Sequence, residues 1–199
     1  MSVKAVFFDI GGVILRTEYQ APREHLAERL NLTYEEVYKA VFESDTSRRA
    51  SLGAVSVDEH WIAVTRTLGR PASEAKAIHD EFFAGDVIDK NLLDFIRSLR
   101  PRYKTGVISN AWPDLRAYIH EHKFDDAFDC ITISAEIGVM KPQPKIYQLA
   151  LEQAHVRASE AVFVDDMPAN IEAANALGMR GILFHDPHET LAELKSFLK

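Results

Sequence analysis

The segment VKAVFFDIGG, residues 3–12, is the clearest indication of the fold of this chain. Its first six residues form an almost continuous apolar run, which ends at Asp9 and is followed by Gly11 and Gly12. A short apolar run bounded by turn-forming residues is typical of a strand that is buried on both faces. Such strands lie in the middle of parallel sheets, so the segment predicts a parallel α/β core.

Further apolar runs follow along the chain and alternate with helical patterns. The runs are residues 105–109, 130–134, 161–164 and 181–184, of which 130–134 is the weakest. The helical patterns cover residues 89–99, 113–122, 144–154 and 168–177. Strands that alternate with helices form βαβ units, in which helices cover both faces of a parallel sheet. We therefore predict the α/β class, with a doubly wound, Rossmann-like parallel sheet.

Residues 17–86 interrupt this alternation. They contain no convincing strand and are predicted to form several helices, two of which open with capping-box patterns at Thr33 and Ser56. A segment of this length is too long for a loop in a compact domain. We expect residues 17–86 to form an all-α helical cap subdomain, and residues 1–16 plus 87–199 to form the α/β core domain.

The composition excludes several classes of partner. The 199 residues carry 23 Lys and Arg against 30 Asp and Glu, a net charge of −7, which argues against binding to nucleic acid. No apolar stretch reaches the roughly 18 residues of a membrane span, and no signal-peptide cleavage site follows the first strand. The single cysteine, Cys130, rules out an intramolecular disulfide framework. We expect a cytoplasmic protein with neither nucleic acid nor membrane as a partner.

Polar residues follow the predicted strands at the points where the strands end. Ligands of open parallel sheets bind outside the carboxyl ends of the strands, so these residues define a candidate site. They are Asp9 and Gly11 after the first strand, Ser109 and Asn110 after the second, Asp165, Asp166 and Asn170 after residues 161–164, and Lys141 before a helix.

The charges in this set indicate its chemistry. Its three aspartates cannot all stay ionised within a few ångströms of one another unless a cation joins them, and hard oxygen ligands suit Mg²⁺. Magnesium sites of this kind usually also engage a substrate phosphate. Lys141 would supply positive charge to that phosphate, and Ser109 and Asn110 would supply hydrogen-bond donors. An aspartate can also attack phosphorus as a nucleophile.

Four motifs in this order resemble those of the haloacid dehalogenase (HAD) superfamily of hydrolases. They are DIGGV at 9–13, ISN at 108–110, KP at 141–142 and VDDMPAN at 164–170, and they span the chain apart from the helical insert. The insert resembles the C1-type helical cap of subfamily IA by its position between the first two motifs. Residues 52–61, LGAVSVDEHW, resemble the cap pattern of a branch that contains phosphatases of small sugar phosphates.

The resemblance implies a role for each residue of the set. Asp9 would be the nucleophile, and Ser109 and Asn110 would hold the transferred phosphoryl group. Lys141 would neutralise the nucleophile and the phosphate, and Asn170 would brace the loop or contact the phosphate. Mg²⁺ would be bound by Asp9, the Gly11 carbonyl and Asp166, with Asp165 acting through a water. The resemblance thus implies a Mg²⁺-dependent phosphatase of small phosphate monoesters such as sugar phosphates. Its partner would be a small phosphorylated metabolite, and its intermediate an aspartyl-phosphate.

Gly11 departs from the family pattern. Phosphatases of the family usually carry a second aspartate at this position, which protonates the leaving group and then activates water. Such acid–base help is worth about 10²–10⁴-fold in rate, so we expect slow turnover unless Glu18, His25 or a water takes over the role. Two alternatives stay open, namely a metal-free haloacid dehalogenase and a catalytically weak protein that binds a phosphorylated ligand or a partner.

Overall fold

The central sheet is built around the first predicted strand. The computed structural model describes residues 2–198, and within this range strand β1 (Ala5–Phe8) is the middle of a five-stranded sheet with the order β5-β4-β1-β6-β7. The other strands are β4 (Lys104–Ser109), β5 (Cys130–Ile133), β6 (Ala161–Asp165) and β7 (Arg180–Leu183). All neighbouring pairs in this sheet are parallel. The predicted fold class is confirmed.

Helices cover both faces of the sheet because β1 is apolar on both sides. Val6 and Phe8 belong to the apolar cluster on one face, and Phe7 to the cluster on the other; all three are fully buried. The first face packs against α6 (Lys90–Ser98), α7 (Leu115–Glu121) and α11 (Pro187–Phe197), and the second against α9 (Pro144–Ala154) and α10 (Pro168–Ala176). A short helix, α8 (Ser134–Ile137), follows β5.

The inserted segment forms a helical layer with its own apolar cluster. Its helices are α1 (Ala21–Leu30), α2 (Tyr34–Phe42), α3 (Asp45–Ser51), α4 (Val57–Thr67) and α5 (Ala75–Phe83). Capping boxes are present at Thr33 and Ser56, where each side chain accepts from the backbone three residues on. Leu26, Val41 and Phe82 lie fully buried in the cluster. Within the described chain, no helix is long and apolar enough to cross a bilayer.

The expectation that residues 17–86 contain no strand is wrong at both ends of the segment. Strand β2 (Leu15–Thr17) pairs in antiparallel fashion with β3 (Asp86–Ile88), and the two form a ribbon between the sheet and the helical layer. Three residues a strand are too few to show the alternation of apolar and polar residues that predicts a strand. The predicted domain boundaries, at 16/17 and 86/87, fall inside this ribbon.

Candidate active site

Three adjacent strands bring their terminal polar residues together. Asp9 follows β1, Ser109 ends β4 and Asp165 ends β6, and β1 lies between the other two strands. The Ser109 hydroxyl donates to Asp9 Oδ1 at 2.7 Å, and the backbone N–H of Ile10 donates to the same oxygen at 2.7 Å. The carboxylate of Asp9 is therefore fixed in orientation at the carboxyl edge of the sheet.

A buried ammonium group joins two of the carboxylates. Lys141 Nζ lies 2.7 Å from Asp9 Oδ2 and 2.6 Å from Asp165 Oδ2, and the Lys141 side chain is 0% exposed. Little water is available to screen these charges, so the Coulomb attraction across each contact is stronger than across a surface ion pair. The ammonium offsets part of the negative charge that the aspartates gather at this edge.

Two asparagines fix the groups around this ion pair. The Asn110 side chain donates to the Lys141 carbonyl at 2.9 Å and accepts from the Lys141 N–H at 2.7 Å. Asn170 Nδ2 donates to both oxygens of Asp165, at 2.9 and 3.1 Å. The structure therefore shows Asn110 clamping the Lys141 segment and Asn170 bracing Asp165. A contact of either residue with phosphate stays a prediction.

Asp166 completes the acidic cluster and packs against a glycine. One carboxylate oxygen from each of Asp9, Asp165 and Asp166 lies within 4.8 Å of the others. Gly12 has a φ of +76°, and a Cβ on it would stand 2.2 Å from Asp166 Oδ2. Gly12 is therefore more than a turn glycine, because only a residue without a side chain allows Asp166 to approach the loop after β1 this closely.

The cluster fits a magnesium ion by its chemistry. Burial raises the pKa of Asp9 to about 6, even though Lys141 acts in the opposite direction. Burial, and then the charge of Asp165, raise the pKa of Asp166. The ionised forms of these carboxylates would be stabilised by more positive charge than the one ammonium group supplies. Oxygen donors at this spacing suit Mg²⁺, so Asp9 and Asp166 could hold the ion directly.

The space around Gly11, where the second aspartate of the family pattern is missing, is open. Gly11 is exposed, and a Cβ on it would meet no atom within 4 Å. The carboxylate of Glu18 accepts from Arg16, and His25 is exposed on α1. Substitution of the missing acid by Glu18, His25 or water stays a prediction.

Two residues that sequence reasoning missed connect the helical layer to this region. Arg23 is buried, donates to the Phe82 carbonyl at 3.1 Å and forms an ion pair with Asp86 at 2.9 Å. Trp112, three residues beyond Ser109, packs against the apolar cluster of the helical layer. A tryptophan so soon after a predicted site residue was a usable signal, whereas nothing in the sequence marks Arg23 as buried.

The chain has a Rossmann-like core, a helical insert after the first strand, and a buried cluster of aspartates and a lysine at the strand ends. This arrangement is typical of an α/β enzyme. The family model for haloacid dehalogenase-like hydrolases matches residues 3–178, and the chain belongs to this family. The resemblance identified from the four motifs is confirmed.

Several known proteins are similar over most of the chain. A sesquiterpene phosphatase of Aspergillus oryzae is 27% identical over 98% of this chain and 96% of its own length. A D-ribitol-5-phosphate phosphatase of Bacteroides thetaiotaomicron is 26% identical over 88% of this chain and 89% of its own length. The bifunctional epoxide hydrolase 2 of Rattus norvegicus is 23% identical over 98% of this chain, which spans only 39% of that protein.

Solved structures share the fold. A HAD family enzyme of Bacteroides thetaiotaomicron, solved in complex with magnesium and inorganic phosphate, superposes with a TM-score of 0.78. It is 22% identical, and the match covers 92% of this chain and 95% of that one. The likeness extends through the core and the helical insert.

Proposed function

We propose that the protein is a Mg²⁺-dependent phosphatase that hydrolyses small phosphate monoesters through an aspartyl-phosphate on Asp9. The observation that carries this proposal is the buried Lys141 ammonium, held between Asp9 and Asp165 beside the exposed loop of Gly11. Asp9 is oriented for attack by Ser109 and Ile10, and its charge is offset on the other oxygen by Lys141. The phosphatase names of two relatives, and the bound phosphate of a structural neighbour, support the same reaction.

The residues around Asp9 suit an in-line transfer. An Asp9 oxygen attacks phosphorus, the ester P–O bond breaks, and the leaving oxygen takes a proton from solvent because Gly11 offers none. Water then attacks the phosphorus of the aspartyl-phosphate, which releases inorganic phosphate and restores the Asp9 carboxylate. Ser109 and Lys141 would stabilise the transferred oxygens by hydrogen bonding and charge.

Mg²⁺ would be held by Asp9, Asp166 and the Gly11 carbonyl. Both oxygens of Asp165 already receive donors from Lys141, Asn170 or the Met167 N–H, so Asp165 would reach the ion through a water. When bound, the ion supplies positive charge that allows Asp9 to stay ionised next to a phosphate dianion. Sugar phosphates are one candidate class of substrate, supported by the ribitol-phosphate relative and by the pattern of residues 52–61.

Replacing Asp9 by Asn tests the proposal. Phosphate release from p-nitrophenyl phosphate with Mg²⁺ should disappear in Asp9→Asn and persist in the control Asp94→Asn, which alters an exposed aspartate on α6. Undiminished hydrolysis in Asp9→Asn would overturn the nucleophile assignment.

Assays of the unmodified protein distinguish the magnesium phosphatase from the metal-free dehalogenase and from a protein that only binds its ligand. EDTA should abolish phosphate release by a magnesium phosphatase and leave chloride release by a metal-free dehalogenase unaffected. A protein that only binds its ligand would release neither product, even from p-nitrophenyl phosphate, whose leaving group scarcely needs a proton.

A further inference from the structure

Helix α2 presents three aromatic side chains along one face. Tyr34, Tyr38 and Phe42 are four residues apart, and their consecutive ring centroids lie 6.0 and 5.1 Å from each other. We call these three residues the aromatic ladder. Tyr34 and Tyr38 are half-buried, and Phe42 is 37% exposed, so part of this aromatic face is open to solvent.

The ladder reaches the loop that leaves the active site. The rings of Phe42 and Trp112 are stacked, with centroids 5.9 Å apart and planes inclined by 23°. Trp112 is only three residues beyond Ser109, whose hydroxyl contacts Asp9. The ladder and Trp112 therefore form a continuous row of ring contacts that leads to the loop after Ser109.

The acidic cluster also has an exposed apolar neighbour. Met167, the residue after Asp166, is 53% exposed, so a second large apolar side chain is exposed next to that cluster.

The guanidinium that contacts the ladder is committed to the protein. The Arg23 guanidinium lies over the Phe42 and Phe82 rings, but it is buried and its donors bind the Phe82 carbonyl and Asp86. The ladder itself offers only two phenol oxygens among three aromatic rings. A polyol would lose hydrogen bonds to water on such a surface, whereas an apolar chain would gain from leaving water.

We propose that the aromatic ladder and Trp112 bind the leaving group of the substrate, and that this group is an apolar alcohol. The substrate class would be alkyl or prenyl phosphate monoesters, with the phosphate at Asp9 and the hydrocarbon along α2. This inference rests on the proposed phosphatase function and selects among its possible substrates. Exposed apolar surface next to a catalytic site is the usual mark of a ligand groove.

The first experiment needs no substitution. Initial rates are measured with Mg²⁺ on acetyl phosphate, on n-alkyl phosphates from butyl to octyl, and on ribitol 5-phosphate. The transfer of one methylene from water corresponds to about a fourfold gain, so kcat/KM should rise by roughly two- to fourfold per carbon along the alkyl series. Ribitol 5-phosphate should be a poorer substrate than octyl phosphate.

The second experiment removes the exposed ring of the ladder. In Phe42→Ala, the ratio of kcat/KM for octyl phosphate to that for acetyl phosphate should fall at least tenfold. The matched control is Lys39→Ala on the same helix, whose side chain is 55% exposed and pairs only with Glu35 among the ion pairs seen in residues 2–198. That variant should keep the ratio of the unmodified protein.

A binding measurement does not depend on turnover. Octylphosphonate, which resists hydrolysis, should change the tryptophan fluorescence at lower concentration than methylphosphonate does, because its chain would contact Trp112. If Phe42→Ala proves too unstable to assay, this titration and the alkyl series on the unmodified protein still decide the question.

The outcomes separate the inference from the function on which it rests. Turnover of acetyl phosphate combined with a flat alkyl series, or with a preference for ribitol 5-phosphate, overturns the apolar subsite and leaves the phosphatase intact. Absence of turnover on every substrate, acetyl phosphate included, overturns the phosphatase. Equal affinity for octyl- and methylphosphonate would then overturn the subsite as well.

Discussion

Gly12 offers a sharp test of how the acidic cluster is built. In Gly12→Ala the new methyl group would stand 2.2 Å from Asp166 Oδ2 and 2.4 Å from its Cγ. Ordinary contacts of a Cβ begin at 3.4 Å, so the carboxylate must retreat by about 1 Å. The backbone must also keep its φ of +76°, which costs a residue with a Cβ about 1–2 kcal/mol.

These two effects predict different losses. A displacement of about 1 Å in a catalytic constellation lowers the rate by about 100-fold, so kcat/KM should fall by that factor in Gly12→Ala. The strain of the backbone should lower Tm by roughly 2–8 °C for a chain of this size. The loss of activity would come from the displacement of Asp166, and the loss of thermal stability from the strained backbone alone.

Two neighbouring variants separate the causes. Gly69 also has a positive φ, +72°, but a Cβ there meets nothing within 4 Å, so Gly69→Ala should lower Tm and spare activity. Gly11→Ala adds a methyl group to open space and keeps its carbonyl, so its loss of activity should be much smaller than that of Gly12→Ala. The assays are p-nitrophenyl phosphate hydrolysis with Mg²⁺ and thermal unfolding. Equal activity of Gly12→Ala and Gly69→Ala would show that the contact between residue 12 and Asp166 does not position the acidic cluster.

Substitutions of Gly11, Lys141 and His60 provide further tests. Gly11→Asp should speed hydrolysis of esters with poor leaving groups by up to about 100-fold and barely change that of p-nitrophenyl phosphate; rates independent of the leaving group would contradict this. Lys141→Met should abolish turnover and lower the free energy of unfolding by about 3 kcal/mol, measured in urea at pH 7, because Asp9 and Asp165 lose their buried partner. A variant as stable as the unmodified protein would disprove this prediction. Burial lowers the pKa of His60 to about 4. As the pH falls, the unfolded chain therefore takes up a proton at His60 before the folded chain does. This difference should lower the free energy of unfolding by at most about 3 kcal/mol as the pH falls from 6.5 to 4. His60→Phe should lack that loss in urea titrations at both pH values, and an unchanged pH dependence would rule out the assignment.

The core and its catalytic edge could be predicted because their signals are local. The run before Asp9 is apolar on both faces, and that alone predicts a central strand. Residues that follow such strands must meet at one edge of a parallel sheet, so Asp9, Ser109 and Asp165 could be grouped before any coordinate was known. The capping boxes at Thr33 and Ser56 are local as well, since their partners lie three residues on.

The details of the site depend on contacts between distant segments. The ion pair of Arg23 with Asp86 joins residues 63 apart, and the Asn110 side chain binds Lys141 across 31 residues. No periodicity in the sequence records such a pair. The need for glycine at position 12 likewise comes from Asp166, which a different strand delivers to the same loop.

Local patterns in the sequence predict the parallel core, the helical insert and the residues that gather at the strand ends. Two features emerge only from the folded chain: the aromatic face of α2 meets Trp112, and Lys141 is fully buried between two carboxylates. Apolar periodicity and capping act within a few residues. The placement of one layer on another is set by side-chain packing and burial among residues that are far apart in the chain.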